Sequence, residues 1–421
     1  MKLKLGTLIF LIGHGLVGHA AHAQETTHAH GSAECDEMTT INYSTAMCEG
    51  RAMPGMPMRM LMIHGNGFLV GNLEEGPRSQ NKISAPHMIM ADIGSSFGDS
   101  HFVNLDVMAT FERWTLPETG NPLLLQIGEE NSSHVPYVDA QHPHSSPVMG
   151  LTLSDTFSIG ETDHLKFFAA PRGESTEGPT AFMHRPSGEV NPDAPLGHHI
   201  GQDVGHISSS VIGGELRLGR TNLEASTFYG KEPQPSQADL PISAPNSYAF
   251  RLTEQVTPTV HVMASVAFVR SPEPNDPDLD HIWRYSASMY SNSVYRGWSF
   301  QDAFIYGLVN LYDGAGALNS FLYEANVATE KSDSWVRVEA LQRTPNELTI
   351  SKSNDRSTGR YVELLTVGHA KTIFQAESGR LQLGGSLTKD FLPVDYQNDY
   401  GGNPLTAKIF LRLSGMQMWT L

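Results

Sequence analysis

The chain has only two cysteines, Cys35 and Cys48, in 421 residues. It also lacks any run of ~18 consecutive apolar residues, which excludes a membrane-spanning helix. Positive charge is scarce: 28 Lys and Arg against 45 Asp and Glu leave a formal net charge of −17. Such an acidic balance excludes nucleic acid as a partner and suits a cation-attracting surface. Helical periodicity is nearly absent from the body of the chain.

What is present begins with a leader. Lys2 and Lys4 precede the apolar stretch Leu8–Ile12, and Ala21-His22-Ala23 forms a small-x-small cleavage pattern. Residues 1–23 therefore read as a secretory signal. The alternative, an uncleaved anchor, meets an apolar stretch too short for a bilayer. No lipobox cysteine stands at the cleavage site, which argues against a lipoprotein. In an oxidising compartment a Cys35–Cys48 disulfide is the default reading, and a thiolate metal pair is its alternative.

Beyond residue 60 the chain alternates with period two in segments of about ten residues. Leu223, Ala225, Thr227 and Tyr229 share one face, with Glu224 and Ser226 on the other. Ala407, Ile409, Leu411 and Leu413 alternate with Lys408, Phe410 and Arg412. A soluble sandwich alternates too. Full charges on the polar face and Tyr or Trp near strand ends favour a wet lumen and interfacial girdles instead. The expected fold is all-β: a transmembrane antiparallel β-barrel of about 16 strands (range roughly 12–18) over residues 60–421. Its connections alternate between short turns, assigned to the periplasm, and long extracellular loops at 113–146, 172–204, 232–245, 271–280, 345–359 and 390–405. One connection fits poorly: segment 370–378, between strands at 360–369 and 379–389, is long for a tight turn. The final strand is placed at 406–414, with Phe410–Leu421 continuing as an amphipathic strand that contains Trp419.

Eight of the nineteen histidines fall between His134 and His206. The parity of strands brings loops 113–146 and 172–204 to the same outer end, beside one hairpin, so they must be neighbours. The first carries Asp139, His142 and His144. The second carries His184, His198, His199 and Asp203, with His206 just after it. Imidazoles with a carboxylate suit Zn²⁺, Cu²⁺ or Ni²⁺, and the thioethers of Met149 and Met183 tilt the choice to copper. The plain alternative is that these histidines brace their loops through hydrogen bonds; acid–base chemistry is a third reading.

Residues 24–59 form a His/Met-rich periplasmic segment. Met53, Met56 and Met58 precede Met60 and Met62, an alternation that stacks soft thioethers suited to Cu(I). Met60 and Met62 are equally explained as wall residues of the first strand.

The motifs DAQHPHSSPVMGL, FMHRPS and NPDAPLGHHIGQDVGH, in this order, resemble a poorly characterised family of bacterial outer-membrane β-barrels. The resemblance covers about 130–230. It implies an outer-membrane location and a setting of copper or other heavy-metal resistance, and it brings no established catalytic residue.

Three functions follow. The first is an outer-membrane barrel that binds or conducts a transition-metal ion, copper foremost, with outer-membrane lipid around it and a periplasmic metal carrier as partner. The second is a general porin for small solutes. The third is an outer-membrane hydrolase, suggested loosely by Asp139, His142 and Ser145. No nucleophile turn supports the third, so the expectation is a non-enzyme.

Overall fold

The computed structural model describes residues 59–421 apart from 99, 132, 161, 237, 239–241, 273–278, 312–315, 352 and 354–356. The leader, Cys35, Cys48 and the Met53, Met56 and Met58 reading lie outside the described residues.

Among the described residues, period-two alternation resolves into nineteen strands. In chain order they are β1 (Arg59–Glu74), β2 (Ile83–Ser84), β3 (His87–Phe97), β4 (His101–Ala109), β5 (Asn121–Glu130), β6 (Pro136–Gln141), β7 (Val148–Ser158), β8 (His164–Gly173), β9 (Ser208–Leu218) and β10 (Thr221–Tyr229). They continue as β11 (Ser247–Thr257), β12 (Val260–Arg270), β13 (His281–Tyr295), β14 (Trp298–Leu311), β15 (Gly316–Ala328), β16 (Ser332–Arg343), β17 (Arg360–Ala376), β18 (Gly379–Phe391) and β19 (Leu405–Thr420). Sixteen of these form one antiparallel wall; β2 is a two-residue flap on β1, and β5 and β6 pair only with each other. The wall closes where β1 pairs with β19, from Met60 opposite Thr420 to Glu74 opposite Thr406. Closure removes every free edge, which is what a lipid-exposed sheet requires.

The poorly fitting connection now has a cause. Strands β17 and β18 run on to Ala376 and from Gly379, so only Glu377 and Ser378 turn the chain. All connections at that end of the wall are thereby short; at the other end they are long except between Leu311 and Gly316. Turns at 98–100, 219–220, 258–259, 296–297 and 377–378 lie at one end, and the long connections lie at the other.

The outer face is apolar. Leu153, Phe167, Ile212, Leu223, Phe250, Leu252, Leu387 and Ile409 are all exposed on it. Tyr248, Phe268, Trp283 and Tyr285 stack in a band near the loop end, and Phe97, Tyr295, Trp298 and Trp419 lie near the turn end. An apolar belt between two aromatic girdles is the signature of a bacterial outer-membrane barrel. Leu252 sits mid-strand in β11, so Leu252→Arg is expected to cost about 2–4 kcal/mol at the bilayer midplane. Denaturant unfolding of the protein in lipid vesicles measures this, and a loss below half a kilocalorie would place Leu252 off the lipid.

The long loops are not slack strings over the mouth; they fill the lumen. Segment 110–147 carries a short helix, α1 (Glu112–Thr115), and the β5–β6 hairpin. Its run Leu123, Leu124 and Leu125 joins Leu196, Ile200, Leu348, Ile350, Tyr396 and Tyr400 in an apolar core against the inner wall. Tyr396 and Tyr400 come from α2 (Val394–Tyr400) in the β18–β19 connection.

Segment 174–207 crosses the lumen to the far wall. Arg185 Nε donates to Glu324 of β15 at 2.8 Å, and Ser187 Oγ donates to the same carboxylate at 3.0 Å. Arg337 of β16 also engages Glu324, at 3.1 Å, and donates to the Asp193 carbonyl at 2.7 Å. The Leu196 amide donates to Glu339 at 2.7 Å, and Arg412 of β19 meets Glu189 at 2.9 Å. At Gly201 the backbone takes φ +68° and rests on Gly307 of β14, where a methyl group would overlap the Ile200 carbonyl. Only glycine permits that approach.

Candidate metal centre

Five histidines form a closed ring inside the barrel. His142 and His144, separated by Pro143, end the first inserted loop just before β7. His198 and His199 lie in a helical turn that begins after Gly197, and His206 lies in a second turn at 204–206. Around the ring the imidazole centroids stand 6.0 Å apart for His142–His144, 5.6 Å for His144–His206 and 5.1 Å for His206–His198. The ring closes with 4.7 Å for His198–His199 and 6.0 Å for His199–His142. Gln126, Ile127, Gln141, Phe182 and Ala194 complete a small cavity between them, with room for about one water-sized particle.

Hydrogen bonds aim the ring nitrogens. His144 Nδ1 lies 2.7 Å from Glu112 Oε2, and His206 Nδ1 lies 2.6 Å from the Asp203 carbonyl. A carboxylate and a carbonyl only accept, so each Nδ1 carries a proton, and in a neutral ring Nε2 then presents a lone pair. Those two Nε2 atoms face each other at 3.4 Å. Two lone pairs at that distance repel unless a cation or proton lies between them. Two nitrogens bound at about 2.0–2.1 Å to one tetrahedral ion stand roughly 3.3–3.4 Å apart.

Carboxylates flank both sides of the ring. The ligand atoms of His198, Asp203 and His206 lie within 4.8 Å of one another, and so do those of Glu129, His199 and Glu232. Burial is the main cause that pushes His142 well below its ordinary range, His199 to about 3 and His206 to about 4, with neighbouring imidazoles adding to it. Burial raises the Glu232 carboxyl, but neighbouring groups, the Arg284 guanidinium at 3.7 Å among them, outweigh it, so Glu232 stays ionised. His142, His199 and His206 therefore offer uncharged imidazoles beside fixed negative charge, the protonation state that metal ligation needs.

Acid is expected to loosen this assembly. Undocked, each histidine titrates near ~6.5; docked, His199 and His206 titrate at about 3 and about 4. Below about pH 6.5 the undocked chain binds more protons, so the stability these groups contribute is complete above that pH and falls as pH drops toward 4. Amide exchange over 196–206, corrected for intrinsic rates, should speed up between pH 7.5 and 5. Equal protection at both values would contradict the assignment.

Two site residues expected from the sequence stand elsewhere. Asp139, at φ +58°, is held by Arg78 Nε at 2.6 Å, the Tyr400 hydroxyl at 2.7 Å and the Leu125 amide at 2.8 Å. It fastens the β5–β6 hairpin to the floor of the loops, and it neither joins the ring nor orients His142. Of the loose Asp139, His142 and Ser145 grouping, Asp139 is thus engaged by Arg78, Tyr400 and Leu125. His184 lies fully buried beside Glu174 and is not one of the five. Conversely, Glu112, Glu129 and Glu232 were not legible as partners. They lie far from the histidines in sequence and carry no motif.

No family model and no curated protein matches the chain. Solved structures do. Salmonella typhi OmpF, determined in complex with daunomycin, superposes with a TM-score of 0.51 at 8% identity, over 84% of this chain and 97% of that one. The outer membrane channel DcaP of Acinetobacter baumannii gives 0.47 at 11% identity, over 85% and 96%. The anion-selective porin from Comamonas acidovorans gives 0.45 at 8% identity, over 86% and 99%. At such identities the OmpF likeness speaks for the fold alone, a sixteen-stranded barrel of the porin type.

Proposed function

We propose that the protein is an outer-membrane channel of the porin type whose inserted loops hold a transition-metal ion at the imidazole ring. The observation that carries this reading is the 3.4 Å approach of His144 Nε2 to His206 Nε2, with the Nδ1 atoms turned to Glu112 and to the Asp203 carbonyl. Imidazole with carboxylate suits Cu²⁺ or Zn²⁺. The motif resemblance to proteins met in copper resistance points to copper, delivered to or taken from a periplasmic carrier. The Met53, Met56 and Met58 thioethers fit the same cargo on the periplasmic side.

A second reading is a general small-solute porin whose histidines only brace the loops. The His144–Glu112 and His206–Asp203 bonds favour it, because bracing uses such bonds. Planar-bilayer conductance separates the two. A metal site inside the lumen makes single-channel current respond to micromolar Cu²⁺ or Zn²⁺ and recover with chelator. Current indifferent to both ions, together with uptake of neutral sugars into liposomes, would leave only the general porin.

A further inference from the structure

A second group of metal-ligating side chains lies on the inner wall, apart from the imidazole ring. Strands β1, β3 and β4 set their inward residues in register. His64 stands opposite Met90, and Met90 opposite Met108. In the next row toward the turn end, Met62 stands opposite Asp92, and Asp92 opposite Asp106. Met88 lies one row above, and Met149 at the start of β7 packs with Met88, Met90 and Met108. Six of the eleven methionines among the described residues sit on these four strands, so the concentration is local. Lumen-facing positions elsewhere, such as Ala249, Ala267, Val309 and Leu341, are filled by ordinary aliphatics.

The polar atoms of this patch are short of partners. Asp92 Oδ2 and His64 Nε2 are buried without a hydrogen bond and stand 3.8 Å apart. From the crossing loop comes His184, adjoining Met183, which packs on the methionines. His184 is fully buried; its Nδ1 has no hydrogen-bond partner, and its Nε2 lies 3.3 Å from Glu174 Oε1. Unsatisfied buried groups of this kind are rare and call for an ion or ordered water.

We infer that Met90, Met108, His64 and His184 form a site for a soft monovalent cation, Cu(I) or Ag(I), with Asp92 and Glu174 balancing its charge. Thioethers are neutral and polarisable, so they select a soft ion and discriminate against Zn²⁺. The patch adjoins the ring through Ile207, next to His206, and descends to Met62 near the turn end. An ion leaving the ring toward the periplasm meets these sulfurs next. The site stands on its own residues, whether or not the ring holds an ion.

The test uses full-length protein carrying Met53→Leu, Met56→Leu and Met58→Leu, so that the thioethers before the barrel do not compete. Methionine methyl groups are labelled with ¹³C, and Ag⁺ serves as a redox-inert probe. One equivalent of Ag⁺ should shift the Met90 and Met108 methyl signals while Zn²⁺ leaves them in place. The volume-conserving pair Met90→Leu and Met108→Leu should weaken Ag⁺ binding at least tenfold with the barrel still folded. The pair His142→Ala and His199→Ala should leave the wall site intact. Methyl signals that ignore Ag⁺, or Ag⁺ affinity lost with the ring histidines and kept without the two methionines, would overturn the wall site. Zn²⁺ binding by the ring is measured in the same samples, so failure of one site is distinguishable from failure of the other.

Discussion

Replacing His144 and His206 together by alanine is expected to weaken Cu²⁺ or Zn²⁺ binding by at least ten-thousandfold. Four-ligand zinc sites bind with about 10–16 kcal/mol in all, roughly 3 kcal/mol per ligand, and 1.4 kcal/mol is a factor of ten. One lost imidazole is then worth on the order of a hundredfold, and two multiply. The pair is chosen because their Nε2 atoms face each other at 3.4 Å. Asp139→Asn is the contrast, since that carboxylate is occupied by Arg78 and Tyr400. It should leave affinity within a few-fold while loosening the hairpin it fastens. Titration against a competing chelator reads both. Equal affinity in the double alanine variant and the parent would remove the ring as a metal site.

Glu324→Ala is expected to undo the insertion of the second loop. This carboxylate is the shared partner of Arg185, from the loop, and Arg337, from the wall, and all three are buried. Removing it leaves two cations in the interior without their acid. Breaking a buried ion pair from one side costs about 3–5 kcal/mol. The loop gains by leaving the wall, because only then does Arg185 reach water. Segment 174–207 should become protease-sensitive, and single-channel conductance should rise as the lumen clears. Glu324→Gln keeps acceptors for Arg185 and Ser187 and should fall between the two. Parent-like conductance and protection in the alanine variant would mean that the apolar contacts of Leu196 and Ile200 hold the loop unaided.

Much of the barrel was legible because its cause is local. A strand in a membrane wall faces lipid on one side and the lumen on the other, so alternation along ten residues is written into each segment. Leu223 and Ala225 against Glu224 and Ser226 is one such case, and the structure turns the first pair outward. Strand edges were less legible where alternation decays without a turn residue. The end of β17 shows this: Thr372 to Phe374 carries a register irregularity that hides the continuation to Ala376.

That the two histidine-bearing loops are neighbours followed from counting strands. Length and turn residues also allow those loops to fold inward and narrow the pore, but do not say by which residues: Leu123, Leu124 and Leu125 carry loop 113–146 into the lumen. Sequence alone determined a closed wall of about sixteen strands, its apolar exterior and the crowding of imidazoles at one end, since each rests on near-neighbour periodicity or connectivity. Tertiary structure decided that the imidazoles close into a ring, that Glu112, Glu129 and Glu232 flank it, that Asp139 turns to Arg78, and that methionines from separate strands share a patch. Those outcomes depend on the curvature of the wall and on buried charges meeting across it, and no short window of residues contains either.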